Sequence, residues 1–364
     1  MIKYIGSKRL LLPVITDLIA SLDGVRTVAD PFSGTSRVSH ALKRLGYRVH
    51  ASDHNAYAAA LAACYIQAND TRRRDAEKLI AELNTVPPAP GYFTETFCER
   101  SRFFHPKNGE RIDAIREHIE TLALDPELRA IALVSLMEAA DRVDSTTGVQ
   151  MAYLKSWAAR AHNDLALRVP DLLPQPAPGP CTAEQADAID AVAKRDADLT
   201  YLDPPYNQHA YLGNYHAWES LVLWDKPDVY GIACKRTDCR ERKSDFNSKR
   251  RFKDAMRSLL EAIQTRYVVI SFNNEGYIDR PAMEALLTET FGPTASVAVL
   301  ATDHKRYVGA QIGIYNLKGK SVGEVSHLRN VEYLYVVDRE RALPPELTRC
   351  EPEQGDAGLF DAVQ

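Results

Sequence analysis

The chain has 364 residues, of which 45% are apolar and 26% charged, with a formal net charge of −4. This is the balance of a globular protein, long for one core and short for three. It excludes a protein that coats nucleic acid indiscriminately, though not one with a local basic face, and the lack of any run of about 18 apolar residues excludes a transmembrane helix.

The opening Met1-Ile2-Lys3-Tyr4 runs directly into folded-looking sequence, without the charged-then-apolar layout of a secretory signal, so a cytoplasmic protein is expected. The six cysteines, Cys64, Cys98, Cys181, Cys234, Cys239 and Cys350, form no CxxC pair and no His-Cys spacing. Reduced thiols and no metal site are expected. A loop carrying Tyr4 and Lys8 leads into Leu11, Leu12, Ile15, Leu18, Ile19 and Leu22, whose spacing predicts an amphipathic helix. Gly6-Ser7-Lys8 lacks the remainder of a phosphate-loop pattern.

Residues 27–38 read as a strand, a tight turn and the start of a helix that Gly46 stops. Tyr47 to Asp53 is a second strand ending in an acid. This is a βαβ unit of the nucleotide-binding kind, in which that acid accepts hydrogen bonds from a ribose. The turn, Asp30-Pro31-Phe32-Ser33-Gly34-Thr35-Ser36, is not GxGxxG. One glycine, no pyrophosphate cradle and a retained acid suit a nucleoside without a pyrophosphate, of which S-adenosylmethionine is the common example. The bland alternative is a strand that merely ends in Asp53.

Residues 55–84 look helical, and Pro87-Pro88-Ala89-Pro90-Gly91 then breaks the chain. A second, proline-rich break spans 170–181. Between them lies mainly helical sequence, with an aromatic and basic cluster from Phe97 to Asn108. This divides the chain into a discontinuous core, 1–84 and 182–340, and an inserted helical lobe, 85–181, suited to target recognition. Pro180-Cys181 resembles a cytosine-C5 methyltransferase nucleophile, but a proline-rich linker gives it no pocket.

The apolar run Leu199 to Leu202 is a short buried strand, and Asp203-Pro204-Pro205-Tyr206 ends it, because neither proline can donate a ladder hydrogen bond. A carboxylate and a ring are thereby held in a stiff loop at the carboxyl end of a strand. Trp218, Leu221, Val222 and Trp224 predict a short helix behind it. Lys235, Arg236, Arg240, Arg242, Lys243, Lys249, Arg250 and Arg251 make a basic run. It is either a solvated face or an anion-binding surface, and contact with nucleic-acid phosphates is the favoured reading. Further strands are predicted near 267–272, 295–301 and 331–337, giving at least six in a mostly parallel sheet with the site at their carboxyl ends. The proline-rich, acidic 341–364 is expected to be loosely ordered.

In these residues the chain resembles the D12 class of DNA adenine-N6 methyltransferases, the Dam-like family. Lys3-Tyr4-Ile5-Gly6-Ser7-Lys8 is similar to its N-terminal Lys-aromatic-x-Gly-Gly-Lys, 30–36 to its cofactor turn, and 203–206 to its catalytic motif. The resemblance implies a Rossmann-like, S-adenosylmethionine-dependent methyltransferase fold with an inserted helical lobe. It implies cofactor contacts from Tyr4, Lys8, Asp30, Asp53 and Asp203, with Phe32, Gly34 and Ser36 shaping the pocket. It further implies catalysis by Asp203, Pro204, Pro205 and Tyr206, duplex DNA as substrate, and a place beside a restriction endonuclease. Ser36 departs from the family's second turn glycine, and we expect it to be tolerated as a helix cap.

The chemistry agrees with that motif. The adenine amine is a poor nucleophile whose lone pair is delocalised into the ring. Acceptors aimed at its hydrogens, the Asp203 carboxylate and the Pro204 carbonyl, favour the sp³ character that attack requires. Tyr206 can stack on a base flipped from the duplex. Rival readings are methylation of cytosine N4, an RNA adenine or a protein glutamine, and an inactive nucleic-acid-binding module. Asp rather than Ser before Pro-Pro-Tyr favours adenine over cytosine, and the basic run favours a nucleic acid over a protein.

Overall fold

The computed structural model describes residues 1–194, 196–305, 329–343 and 347. Most of the acidic tail, 341–364, lies outside the described residues. The strands are β1 (Thr27–Asp30), β2 (Arg48–Asp53), β3 (Thr182–Gln185), β4 (Leu199–Leu202), β5 (Val229–Tyr230), β6 (Lys235–Arg236), β7 (Tyr267–Asn273), β8 (Ser296–Lys305) and β9 (Arg329–Asp338). The helices are α1 (Leu12–Ser21), α2 (Arg37–Arg44), α3 (Ala56–Ala62), α4 (Arg73–Thr85), α5 (Tyr92–Thr94), α6 (Pro106–Thr121), α7 (Pro126–Arg142), α8 (Ala188–Ala193), α9 (Tyr211–Asn214), α10 (His216–Leu223), α11 (Phe252–Ala262) and α12 (Arg280–Phe291). Local chemistry starts and stops them. Asp125 and Asp279 cap α7 and α12 with their side chains, each with a proline in the first turn. Gly46 closes α2 at a φ of +94°, as its position predicts.

Seven strands form one sheet in the order β3-β2-β1-β4-β7-β9-β8. The first five run parallel, and β9 pairs antiparallel with both β7 and β8. This is the Rossmann-like α/β architecture expected, with one strand more than the six predicted segments. The extra strand, β3, is a short edge strand of Thr, Ala, Glu and Gln, and carries no apolar run to announce it.

Alternation along the strands sorts two cores. Leu199, Tyr201 and Val269 join one cluster with α1, α2, α3, α4 and α10, while Leu202, Val268 and Ile270 join another with α8, α11 and α12. The 85–181 segment shares the first cluster rather than having one of its own. Phe93, Ile112 and Met137 belong to the same buried group as Val28 and Val49. Polar stitching reinforces this. Arg116 of α6, fully buried, donates from Nε to the Leu221 carbonyl at 2.7 Å and from Nη2 to the Val222 carbonyl at 3.1 Å, filling acceptors that the end of α10 leaves open. The segment therefore braces the helix that follows the Asp-Pro-Pro-Tyr loop. Among the described residues no helix is long and apolar enough to cross a membrane.

Candidate active site

Strand order reverses between β1 and β4, so their connections leave in opposite directions and open a crevice above their carboxyl ends. A cavity of about 660 Å³ lies there, lined by Tyr4, Lys8, Asp30, Phe32, Gly34, Asp53, Asp203 and Pro205 among others. That volume suits a small-molecule site. Ser36, Pro204 and Tyr206 are not in its wall.

The turn after β1 is pinned to the end of β2. Ser33 N donates to the Ser52 carbonyl at 3.0 Å, and Gly34 N to Asp53 Oδ2 at 3.0 Å. Gly34 adopts a φ of +50°, which is the reason for a glycine there; a Cβ would meet Tyr4 only at an ordinary 3.5 Å. Asp53 Oδ1 also accepts from Asn55 N at 2.9 Å. Burial raises the Asp53 pKa, and the Asn55 and Gly34 amides oppose that rise. With Asn55 Nδ2 also on Oδ1 at 3.2 Å, it is Oδ2 that keeps a lone pair for a ligand hydroxyl.

Ser36 does not cap α2 as expected. It occupies the cap position in a left-handed conformation (φ +59°, ψ +23°) and makes no side-chain cap bond. Its buried Oγ has no hydrogen-bond partner. The left-handed backbone aims the side chain away from the helix amides, and the position is one that glycine adopts at lower cost.

Asp30 ends β1. Its Oδ2 accepts from Ser39 Oγ at 2.6 Å, while its Oδ1 is sealed from solvent and has no partner. Burial raises its pKa to about 7, against the Ser39 bond and with help from the Asp203 charge. An oxygen closed to water is closed to a ligand in the cavity as well, and the Phe32 N–H also helps to hold the charge of this carboxylate.

The N-terminal loop closes the opposite wall. The Tyr4 ring is stacked between Tyr211, with centroids 5.0 Å apart and planes 3° apart, and Tyr215, at 4.5 Å and 14°. Lys8 is 6% exposed. Its Nζ lies 3.2 Å from Asp203 Oδ1 and 3.5 Å from Glu332 Oε2. Burial opposes its charge, but the Asp203 and Glu332 carboxylates hold its pKa well above the usual lysine value. Asp203 is raised to about 6, chiefly by burial, with Lys8 opposing and Glu332 adding to it. It is therefore ionised at neutral pH. Beside the cavity, Tyr206 receives a hydrogen bond on its hydroxyl from Asn273 Nδ2 at 2.9 Å and packs edge-on to Phe272 at 5.3 Å.

The geometry divides the basic run. Arg236 is 3% exposed, and its Nη1 and Nη2 reach the Asp225 carboxylate at 2.7 Å each, with Asp238 also bonded. Arg242 donates to the fully buried Glu219 at 2.8 Å. Glu219 in turn accepts from the backbone N–H groups of Ala56 and Tyr57 at the start of α3. These two arginines are committed to the protein's own carboxylates, so the expectation that they face DNA phosphates meets side chains already engaged. Lys235 is half-buried, whereas Arg240, Lys243, Lys249, Arg250 and Arg251 are exposed. Arg240 lies over the Tyr230 ring at 4.0 Å and Arg251 pairs with Asp245 at 2.9 Å.

Sequence reasoning missed several parts of the wall. Phe246, set against Phe32 at 5.2 Å, lines the cavity with Asn247, whose Nδ2 reaches the Asn207 carbonyl at 2.8 Å. Asp187, the side-chain cap of α8, also lines it. The four-residue spacing of Tyr211 and Tyr215 could have announced their clamp on Tyr4. Glu332 carried no signal.

The profile of the family described as D12 class N6 adenine-specific DNA methyltransferase matches residues 4–285. The modification methylase StsI of Streptococcus sanguinis is 29% identical over 343 residues, covering 89% of this chain and 51% of that protein. The type II methyltransferase M.NlaIII of Neisseria lactamica is 30% identical over 338 residues, covering 89% and 98%. M.FokI of Planomicrobium okeanokoites is 28% identical over 362 residues, covering 94% and 53%. The chain thus spans about half the length of StsI and M.FokI and nearly all of M.NlaIII.

Proposed function

The chain belongs to the D12 class N6 adenine-specific DNA methyltransferases, and on that premise we propose that it moves a methyl group from S-adenosylmethionine to N6 of an adenine flipped out of duplex DNA. The observation that carries this reading is the ionised Asp203, 3.2 Å from Lys8, in the wall of a cavity that also presents Asp53.

S-adenosylmethionine would supply a methyl group on a positively charged sulfur. Asp53 would accept from its ribose hydroxyls, with Asp30 supporting the turn from behind through Ser39 and Tyr4 and Phe32 as apolar walls. Asp203 would accept an N–H of the target amine, and the Pro204 carbonyl the other, so that both hydrogens are drawn out of conjugation with the ring. Tyr206, held by Asn273, would stack on the flipped base, a contribution of about 1–3 kcal/mol. In-line displacement then needs position and acceptors rather than a covalent intermediate.

Phosphate contact we assign to the exposed Arg240, Lys243, Lys249, Arg250 and Arg251, and target recognition to 85–181. By name the relatives are a modification methylase and two type II methyltransferases. We therefore read this chain as a cytoplasmic modification enzyme whose partner endonuclease is a separate protein.

The test is incubation of the chain with methyl-labelled S-adenosylmethionine and duplex DNA, followed by digestion to nucleosides. N6-methyladenine is expected; label in N4-methylcytosine, or in RNA alone, would sink the proposal. Asp203→Ala is expected to lower kcat at least about 10³-fold without moving the melting temperature.

A further inference from the structure

Glu332 reaches the site from β9, opposite Asn273 in the β7–β9 register. It lies beyond the span 4–285 that the family profile matches. Its Oε2 is sealed from solvent and holds no hydrogen bond. The Lys8 ammonium stands 3.5 Å from it and 3.2 Å from Asp203. Tight charge-assisted bonds between ammonium and carboxylate are shorter, about 2.7–2.9 Å. One buried cation is thus shared loosely between two carboxylates.

That sharing has a chemical consequence. Asp203 is to accept N–H bonds from an amine that becomes positive as it gains a methyl group. A cation fixed to Asp203 would compete for its lone pairs and repel that charge, and both effects are strong where little water screens them. A second carboxylate restores the negative balance and gives the ammonium somewhere else to go. We propose that Glu332 is a positioning residue for methyl transfer, one that shares Lys8 with Asp203 and takes the ammonium over when the target amine arrives. The inference rests on Asp203 being the acceptor for that amine. The titratable groups that face Asp203 are Lys8, Glu332, Asp30, Tyr201, Tyr206 and Tyr211. Of these, Glu332 is the one whose removal both takes away a negative charge and leaves Lys8 to Asp203 alone.

Glu332→Gln tests this with two readouts. Carbon-13 NMR of the Asp203 carboxyl group in the unliganded protein, assigned through Asp203→Asn, is expected to show a titration midpoint lower than in the wild type by about half a unit or more. Methylation of DNA by the variant is expected to lose about 10-fold in kcat with KM for DNA unchanged, and Glu332→Asp, which keeps the charge, to recover most of that loss. An unmoved Asp203 midpoint overturns the proposal. So does a wild-type kcat with the midpoint moved, or an equal loss in both variants. If the wild type forms no N6-methyladenine, the reading of function fails, and the midpoint still decides whether Glu332 shares Lys8 with Asp203.

Discussion

Asp203 has its pKa raised to about 6 by burial, against the pull of Lys8, and a pH dependence follows. The ionised carboxylate is the form that accepts N–H bonds, and protonation below that pKa removes the acceptor. We expect kcat/KM for methylation to be level above about pH 6 and to fall about tenfold per unit below it. A profile that stays flat to about pH 5 would remove Asp203 from that role. Ser36 makes a separate prediction. It carries a φ of +59° and a buried, unpartnered hydroxyl, two costs that glycine lacks. Ser36→Gly is expected to raise the unfolding free energy by about 1 kcal/mol, after the greater chain entropy of glycine is set against the relief. Equilibrium denaturation measures it, and a loss of stability would mean that the hydroxyl has a partner.

At the scale of elements, the strand β4 and its exit are the parts most plainly written in the sequence. Two leucines and a tyrosine around a β-branched threonine, followed by an acid and two prolines, permit little else. The strand β3 shows the limit of such reading, because an edge strand needs pairing on one side only and can be built of Thr, Ala, Glu and Gln. The hairpin of β5 and β6 shows another. Arg236 lies in a run of charge that predicts a solvated or phosphate-binding face, yet it is 3% exposed between Asp225 and Asp238. Those partners are 11 residues before it and two after, but the burial comes from packing against Ser220 of α10, which no spacing rule reveals. Arg236→Ala is expected to destabilise the fold by about 2 kcal/mol, because it removes the hydrogen bonds of a buried guanidinium and opens a buried gap. Chemical denaturation checks this; a change within about 0.5 kcal/mol would make Arg236 a surface residue in energetic terms.

At the scale of the whole molecule, a chain of net charge −4 presents exposed arginines and lysines beside the cavity mouth. Each phosphate neutralised contributes about −0.9 to the slope of log affinity against log salt. Replacing Arg250 and Arg251 with Gln is therefore expected to weaken DNA binding and to flatten that slope by up to about 2, as fluorescence anisotropy at several salt concentrations would show. An unchanged slope would leave the run a solvated face. The inserted segment also changes meaning at this scale. Sequence breaks near 87 and 170 suggest a lobe, but Phe93, Ile112 and Met137 share a core with the sheet. Changes deep in 85–181 should therefore act on stability, and the target recognition proposed for this segment would fall to its surface.

The sequence by itself determined what neighbours a few residues apart can decide: the apolar strands, the glycine that ends α2, the stiff turn at 203–206, and the kind of acid that stands at the end of each strand. Tertiary structure alone decided which of those acids meet. Lys8, Asp203 and Glu332 come from the beginning, middle and end of the chain, and their burial, their shared charge and the shifted pKa values of Lys8 and Asp203 exist only once the sheet has stacked β4, β7 and β9 side by side. The dielectric around a group and the charges facing it are properties of packing, so the loop Asp203-Pro204-Pro205-Tyr206 could be found in the sequence, while the partner that tunes its acid could not.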